Sequence, residues 1–282
     1  MCEPLKILQD LVVNDYFTPN IKAEVILDTL LTPYVPQILR NECGIDAVFL
    51  TKEMSLESVE ENGGQPVNDR GSKIDYLLVG KEYVYLVELK TTAGSIESDQ
   101  AERYIKYCCD EIYRPGTFGR VFGDKLLRIL RKKYTFSGKG SVDGDWNRDH
   151  LSAVFDETVG KGTGKDHALR ARCYLRRTNR ASTYKYLYTA GQILDHCSEA
   201  SGPEGVKQKL EELWNKEIRL IYITPDGESP HKDLLECRGF YIHPDDTGSI
   251  CLKRAVKELK AGCGREEPYV QMLKNVIMEI YR

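Results

Sequence analysis

The sequence predicts an α/β fold carrying a largely helical, basic insertion, and three observations support that prediction. Residues 72–107 read as a strand, a tight loop, a second strand and a helix. The run IRLIYIT at 218–224 is almost wholly apolar or β-branched, which suits a central strand buried on both faces. Between these pieces the charge reverses: residues 1–110 hold 10 Lys/Arg and 19 Asp/Glu, whereas residues 111–196 hold 17 and 9. Residues 197–282 hold 13 and 15, so a formal net charge of −3 hides a basic middle third. Such an asymmetry points to a surface that faces a polyanion, although a solvated basic face without a ligand has the same composition.

A chain of 282 residues fits one domain with a substantial insertion. We place the core at about residues 20–110 and 204–254, the insertion at about 111–203 and a C-terminal helix at 268–281, within a single domain 1–282. With 41% hydrophobic and 29% charged residues, the chain has the composition of a soluble globular protein. No apolar run approaches the roughly 20 residues of a membrane span, so no membrane partner is expected. The first residues, MCEPLKILQDLVVNDYF, lack a basic lead-in and carry acids within the apolar stretch, unlike a signal peptide. Nine cysteines without a CxxC pair fit a reducing, cytoplasmic setting.

Taken in order, residues 20–32 place Ile21, Val25, Ile26, Leu30 and Leu31 on a helical stripe, with Asn20 as cap and Glu24 beside the stripe. Pro33 and Pro36 interrupt it. A short strand is predicted at 46–52 and a polar surface loop at 55–71. Residues 73–79 and 84–90 are rich in Ile, Val, Leu and Tyr, as strands should be, with Gly80, Lys81, Glu82 and Tyr83 as the hairpin loop. A helix capped by Ser95 runs from about 96 to 109, and Gln100, Arg103, Tyr104 and Tyr107 share one of its faces. Beyond it come helices at 124–134, 183–196 and 204–216, the strand at 218–224, a turn at Pro225-Asp226-Gly227, a last strand near 249–254 and the final helix.

The hairpin carries the chemistry. With that loop, Val79 faces Val84 and Asp75 falls opposite Glu88, and facing residues hold their Cβ atoms only about 5 Å apart. Glu88 and Lys90 share a strand face and Leu89 points to the other. Two carboxylates and an ammonium therefore meet on one hairpin. A solvated cross-strand ion-pair cluster would have the same letters, and such pairs contribute only about 0–1 kcal/mol. Apolar residues of both parities around them argue instead for burial, where three charges are costly without a purpose. Clustered carboxylates make an oxygen-ligand site for a hard cation, and a lysine beside them can orient water and counter phosphate charge.

The order helix, strand, strand, strand, helix, strand, with Ile74-Asp75 on the second strand and Glu88-Leu89-Lys90 on the third, resembles the PD-(D/E)XK nuclease superfamily. The resemblance covers about residues 20–108 and 218–225; the insertion and the C-terminal third lie outside it. It implies a restriction-endonuclease-like core (αβββαβ, a mixed central sheet flanked by helices) and hydrolysis of phosphodiester bonds, in DNA, with Mg²⁺ or Mn²⁺. By the same resemblance Asp75 and Glu88 ligate the metal, with the Leu89 carbonyl completing the shell and Glu24 as a further ligand. Lys90 is catalytic, Gln100 supports the site and Tyr104 touches the substrate backbone. A homodimer or larger assembly is a common arrangement in the family.

Other readings stay open at this stage. A nucleic-acid-binding module of the same fold without cleavage, or an RNA-processing nuclease, fits the same letters. Tyr188 and Gln192 repeat the Gln100/Tyr104 spacing in reverse order, so residues 183–196 compete with 96–109 as the second core helix. Arg172, Arg176, Arg177 and Arg180, with Arg170 and Tyr174 among them, offer phosphate contacts and base stacking. His150, His167 and His231 have no metal-ligand spacing, and GKGTGK at 160–165 lacks the strand and spacing of a P-loop.

Overall fold

The computed structural model describes residues 5, 6, 8–10, 13, 23–55, 73–92, 98–109, 115–123, 193, 196, 202–227 and 249–282. Numbering the described elements in chain order, these are α1 (Ala23–Leu31), a 3-10 turn (Thr32–Tyr34), α2 (Val35–Cys43), β1 (Ala47–Ser55), β2 (Lys73–Gly80) and β3 (Tyr83–Leu89). There follow α3 (Ser98–Cys108), a π-helical turn (Gly119–Gly123), α4 (Gly202–Asn215), β4 (Glu217–Thr224), β5 (Ile250–Cys251), α5 (Leu252–Lys257) and α6 (Glu267–Ile280). The result is an α/β fold around a five-stranded mixed sheet in the order β1-β2-β3-β4-β5. Strand β2 runs antiparallel to both neighbours, while β3, β4 and β5 are parallel. No helix among the described residues is long and apolar enough to cross a membrane.

The two parities of the sheet bury two different layers. Tyr76, Leu78, Tyr85, Val87, Leu89, Ile221 and Ile223 join one core with residues of α1, α2, α5 and α6. The opposite parity, with Leu86, Glu88, Leu220 and Tyr222, is equally buried and lies beneath α3, whose Tyr104 ring packs 6.4 Å from that of Tyr222. Strand β4 is thus covered on both sides, as its unbroken apolar run requires. The C-terminal elements α5 and α6 lie outside the nuclease resemblance, yet they supply ten residues of the first core.

Several expectations shift in detail. The prolines do not end the first helical segment. Pro33 opens the 3-10 turn and Pro36 opens α2, positions where a missing N–H costs nothing. The buried stripe therefore runs Leu27, Leu30, Leu31, Tyr34, Val35 and Ile38 across all three pieces, and Val25 faces solvent. Gly44 closes α2 in the left-handed conformation, at φ 66°, with its N–H donated to the Arg40 carbonyl. The hairpin turn is only Lys81-Glu82, because Gly80 and Tyr83 already belong to the strands. The last strand shrinks to Ile250–Cys251, since residues from Leu252 onward turn into α5. The helix expected at 124–134 and most of that at 183–196 lie outside the described residues.

On the second face the π-helical turn presses against α4. Phe118 meets the Trp214 indole edge-on, with ring centroids 5.5 Å apart. A Cβ at Gly119 would stand 2.3 Å from Trp214 Cδ1 and 2.9 Å from its backbone carbonyl oxygen, closer than real atoms approach. Gly119→Ala is therefore expected to lower stability by about 1–3 kcal/mol through forced repacking. A urea unfolding midpoint equal to that of the wild type would show that the turn yields freely.

Candidate active site

The site is built where the sheet ladder stops. The β2–β3 register runs from Val79↔Val84 to Tyr76↔Val87, and one further step sets Asp75 level with Glu88, as the sequence predicts. At that rung the backbone pairing gives way to a side chain: the Leu89 N–H donates to Asp75 Oδ2 at 2.7 Å. A strand-end amide is thereby satisfied by a carboxylate, which fixes where that carboxylate lies. On the other side of β3, the Lys90 N–H donates to the Ile223 carbonyl at 2.8 Å, so β4 holds the backbone of the lysine.

Glu88 is the most constrained of the charged groups, with 3% of its side chain exposed. Its Oε1 accepts from Lys90 Nζ and from Gln100 Nε2, both at 2.8 Å. Its Oε2 is buried and has no hydrogen-bond partner among the described residues. Gln100 reaches Glu88 because α3 crosses this face of the sheet. The same Nε2 donates to the Tyr104 hydroxyl one turn later, at 2.8 Å. Helix α3 thus supplies the Gln/Tyr pair that the sequence placed on it. In the rival segment 183–196, only Ile193 and His196 are among the described residues.

The electrostatics follow from this crowding. Burial holds the Asp75 carboxyl well above its usual range, and the Glu88 carboxylate pushes it further the same way. The Leu89 N–H and the Lys90 ammonium oppose that shift, and Asp28 adds to it. Burial, then Glu88, likewise raises the Tyr104 phenol. Tyr76 is raised by burial and by Asp28.

The placements depart from the sequence reading at three points. Tyr104 has no exposed surface, so it braces Gln100 and does not offer a ring to nucleic acid. Glu24 lies on α1, but its side chain is outside the described residues. The carboxylate of that helix shown to act on Asp75 is Asp28, which pairs with Lys52 of β1 and leaves Oδ1 buried without a hydrogen-bond partner. Glu24 and Asp28 are four residues apart, so periodicity alone allowed either. Tyr222 is a second omission: it is level with Glu88 on β4 and backs Tyr104, and the alternation within IRLIYIT was its signal. Arg172, Arg176, Arg177 and Arg180 lie outside the described residues, as do His150, His167 and His231. Asp226, at the end of β4, pairs with Lys253 at 2.5 Å.

The residues present suit a small hard cation. Mg²⁺ keeps several waters and takes one or two carboxylates, which matches the pair Asp75 and Glu88 with one buried oxygen of Glu88 left over. Among the described residues no group of three or more His, Cys, Asp or Glu side chains forms a ready-made cage. The burial of Glu88 and Lys90 also sets the site apart from a solvated ion-pair cluster.

A raised carboxyl links the site to stability. Without a cation, the folded protein holds a proton on Asp75 more tightly than the unfolded chain does. Asp75 therefore costs nothing below the ordinary carboxylate range and costs progressively more as pH rises from there through its folded value. Asp75→Asn, measured in EDTA, is expected to melt above the wild type at pH 8, with the gap closing as pH falls toward about 4. A gap that does not change with pH would refute the assignment. No protein family, curated protein or solved structure shows a match to this chain, so the reading of the site rests on its own geometry and chemistry.

Proposed function

We propose that this protein is a metal-dependent phosphodiesterase of the PD-(D/E)XK type that hydrolyses nucleic acid, DNA in the first instance. The observation that carries the proposal is Glu88: a carboxylate buried at the end of β3, tied by one oxygen to Lys90 and Gln100, with the other oxygen unpartnered beside Asp75. A buried carboxylate oxygen without a donor is costly unless a ligand completes it, and an acidic neighbour selects a cation. The element order around the site, α1 and α2, three antiparallel strands, α3, then β4 parallel to β3, supports the restriction-endonuclease-like reading.

In this reading Asp75 and Glu88 would hold Mg²⁺ or Mn²⁺, and the bound ion would supply a water of lowered pKa and charge to offset the phosphate. Lys90 lies on the same face within reach of Glu88, so its ammonium can hold the attacking water in line and meet the charge growing on the phosphoryl oxygens. Gln100 fixes the Glu88 rotamer from above, with Tyr104 and Tyr222 as a packed backing. The basic residues 111–196 would provide the polyanion surface, with the Arg172–Arg180 group as its densest part.

Hydrolysis of single- and double-stranded DNA and RNA, followed with Mg²⁺ or Mn²⁺ and with EDTA, tests the proposal directly. Cleavage is expected only with the cation. Asp75→Ala and Lys90→Ala should each lower it by about 10²-fold or more, the scale for losing a preorganised electrostatic group. Wild type and Lys90→Ala behaving alike on all four substrates would reject the enzymatic reading and leave binding without cleavage.

A further inference from the structure

We propose that Tyr281 is a positioning residue for Lys90, acting from the end of α6; the inference rests on the nuclease reading above. Lys90 lies one residue past β3, where the sheet no longer dictates the backbone. Its N–H still reaches the Ile223 carbonyl of β4, at 2.8 Å. In a parallel ladder the next bond would run from the N–H of residue 225 to the Lys90 carbonyl, but residue 225 is Pro225 and has no N–H. Strand β4 therefore cannot hold the chain beyond the lysine amide.

The Tyr281 hydroxyl does so instead. It donates to the Thr91 carbonyl at 2.8 Å, across 190 residues of sequence. Thr91 is buried, so this bond is made away from bulk water, where its geometry is well defined. Tyr281 is itself anchored. Its N–H donates to the Ile277 carbonyl at 3.2 Å, and α6 buries Val270, Leu273, Val276, Ile277 and Ile280 in the main core. The lysine is thus held between two restraints, the β4 carbonyl before it and the α6 hydroxyl after it. The first comes from the sheet expected of the fold; the second comes from a helix outside the nuclease resemblance. Lys90 donates to Glu88 on a fixed line, so a slack backbone at 90–91 would let the ammonium leave that line without unfolding anything.

Tyr281→Phe removes the hydroxyl and keeps the ring. Hydrogen exchange by mass spectrometry should show faster exchange in the peptide covering residues 90–92, with β3 and β4 as protected as in the wild type. In the cleavage assay kcat should fall about tenfold with KM within about twofold, a loss of the order expected from misplacing a catalytic group by less than 1 Å. Faster exchange throughout the sheet would assign Tyr281 a general structural role and overturn the proposal. So would unchanged exchange at 90–92, or unchanged kcat in a protein that Lys90→Ala inactivates. Lys90→Ala run in parallel separates the two failures: if it matches the wild type, the nuclease reading is what fails.

Discussion

The buried Glu88 carboxylate is the constraint around which the rest of the site is arranged. A charge with 3% exposure must be met by donors, and the fold brings them from three directions: Lys90 from the same strand, Gln100 from α3, and the neighbouring rung through Asp75. Breaking a buried ion pair by removing one partner costs about 3–5 kcal/mol, so these groups are bound to one another structurally as well as chemically. Even so, one oxygen of Glu88 stays without a donor among the described residues. A structure selected for stability alone would have satisfied it or replaced it.

The sheet explains why the donors can converge. Because β2 is antiparallel and β3 and β4 are parallel, the start of β2 and the ends of β3 and β4 meet at one edge. Asp75, Lys90 and the Pro225 turn are all residues at which a ladder ends, and ladder ends are where backbone groups are left to be claimed by side chains. Asp75 claims the Leu89 N–H, and Tyr281 claims the Thr91 carbonyl. The interior of the sheet is apolar on both faces and does no chemistry. Its rigidity is what lets side chains at its rim keep a fixed separation.

How much of this was legible in the sequence depended on range. The hairpin register followed from alternation and loop position, because a one-residue slip would have moved Glu88 to the other face. The Gln100/Tyr104 spacing was readable for the same local reason. The contribution of Tyr104 was not: a tyrosine on a polar helix face looks like a contact residue until the helix is seen lying on Tyr222. The first helix was misread through its prolines, which break a helix in its interior but start one at its first turn. That error also rotated the buried stripe and kept attention on Glu24, although Asp28 is the carboxylate acting on Asp75. Tyr281 had no sequence signal at all, since nothing in a local pattern pairs residue 281 with residue 91.

The coupling of Asp75 to Glu88 gives the site its logic. Two carboxylates brought together in a buried place repel, and the protein has two ways to relieve that repulsion: bind a proton or bind a cation. The proton is the resting solution, as the raised Asp75 carboxyl indicates. A divalent cation would displace that proton, so its affinity should strengthen with rising pH while the cation-free fold weakens. The same repulsion that makes the empty site unfavourable is then what favours a bound ion. Lys90 cannot substitute for it, because its ammonium already lies on Oε1 and leaves Oε2 untouched. The lysine neutralises enough charge for the protein to fold, and the oxygen it leaves free is the one a metal would need.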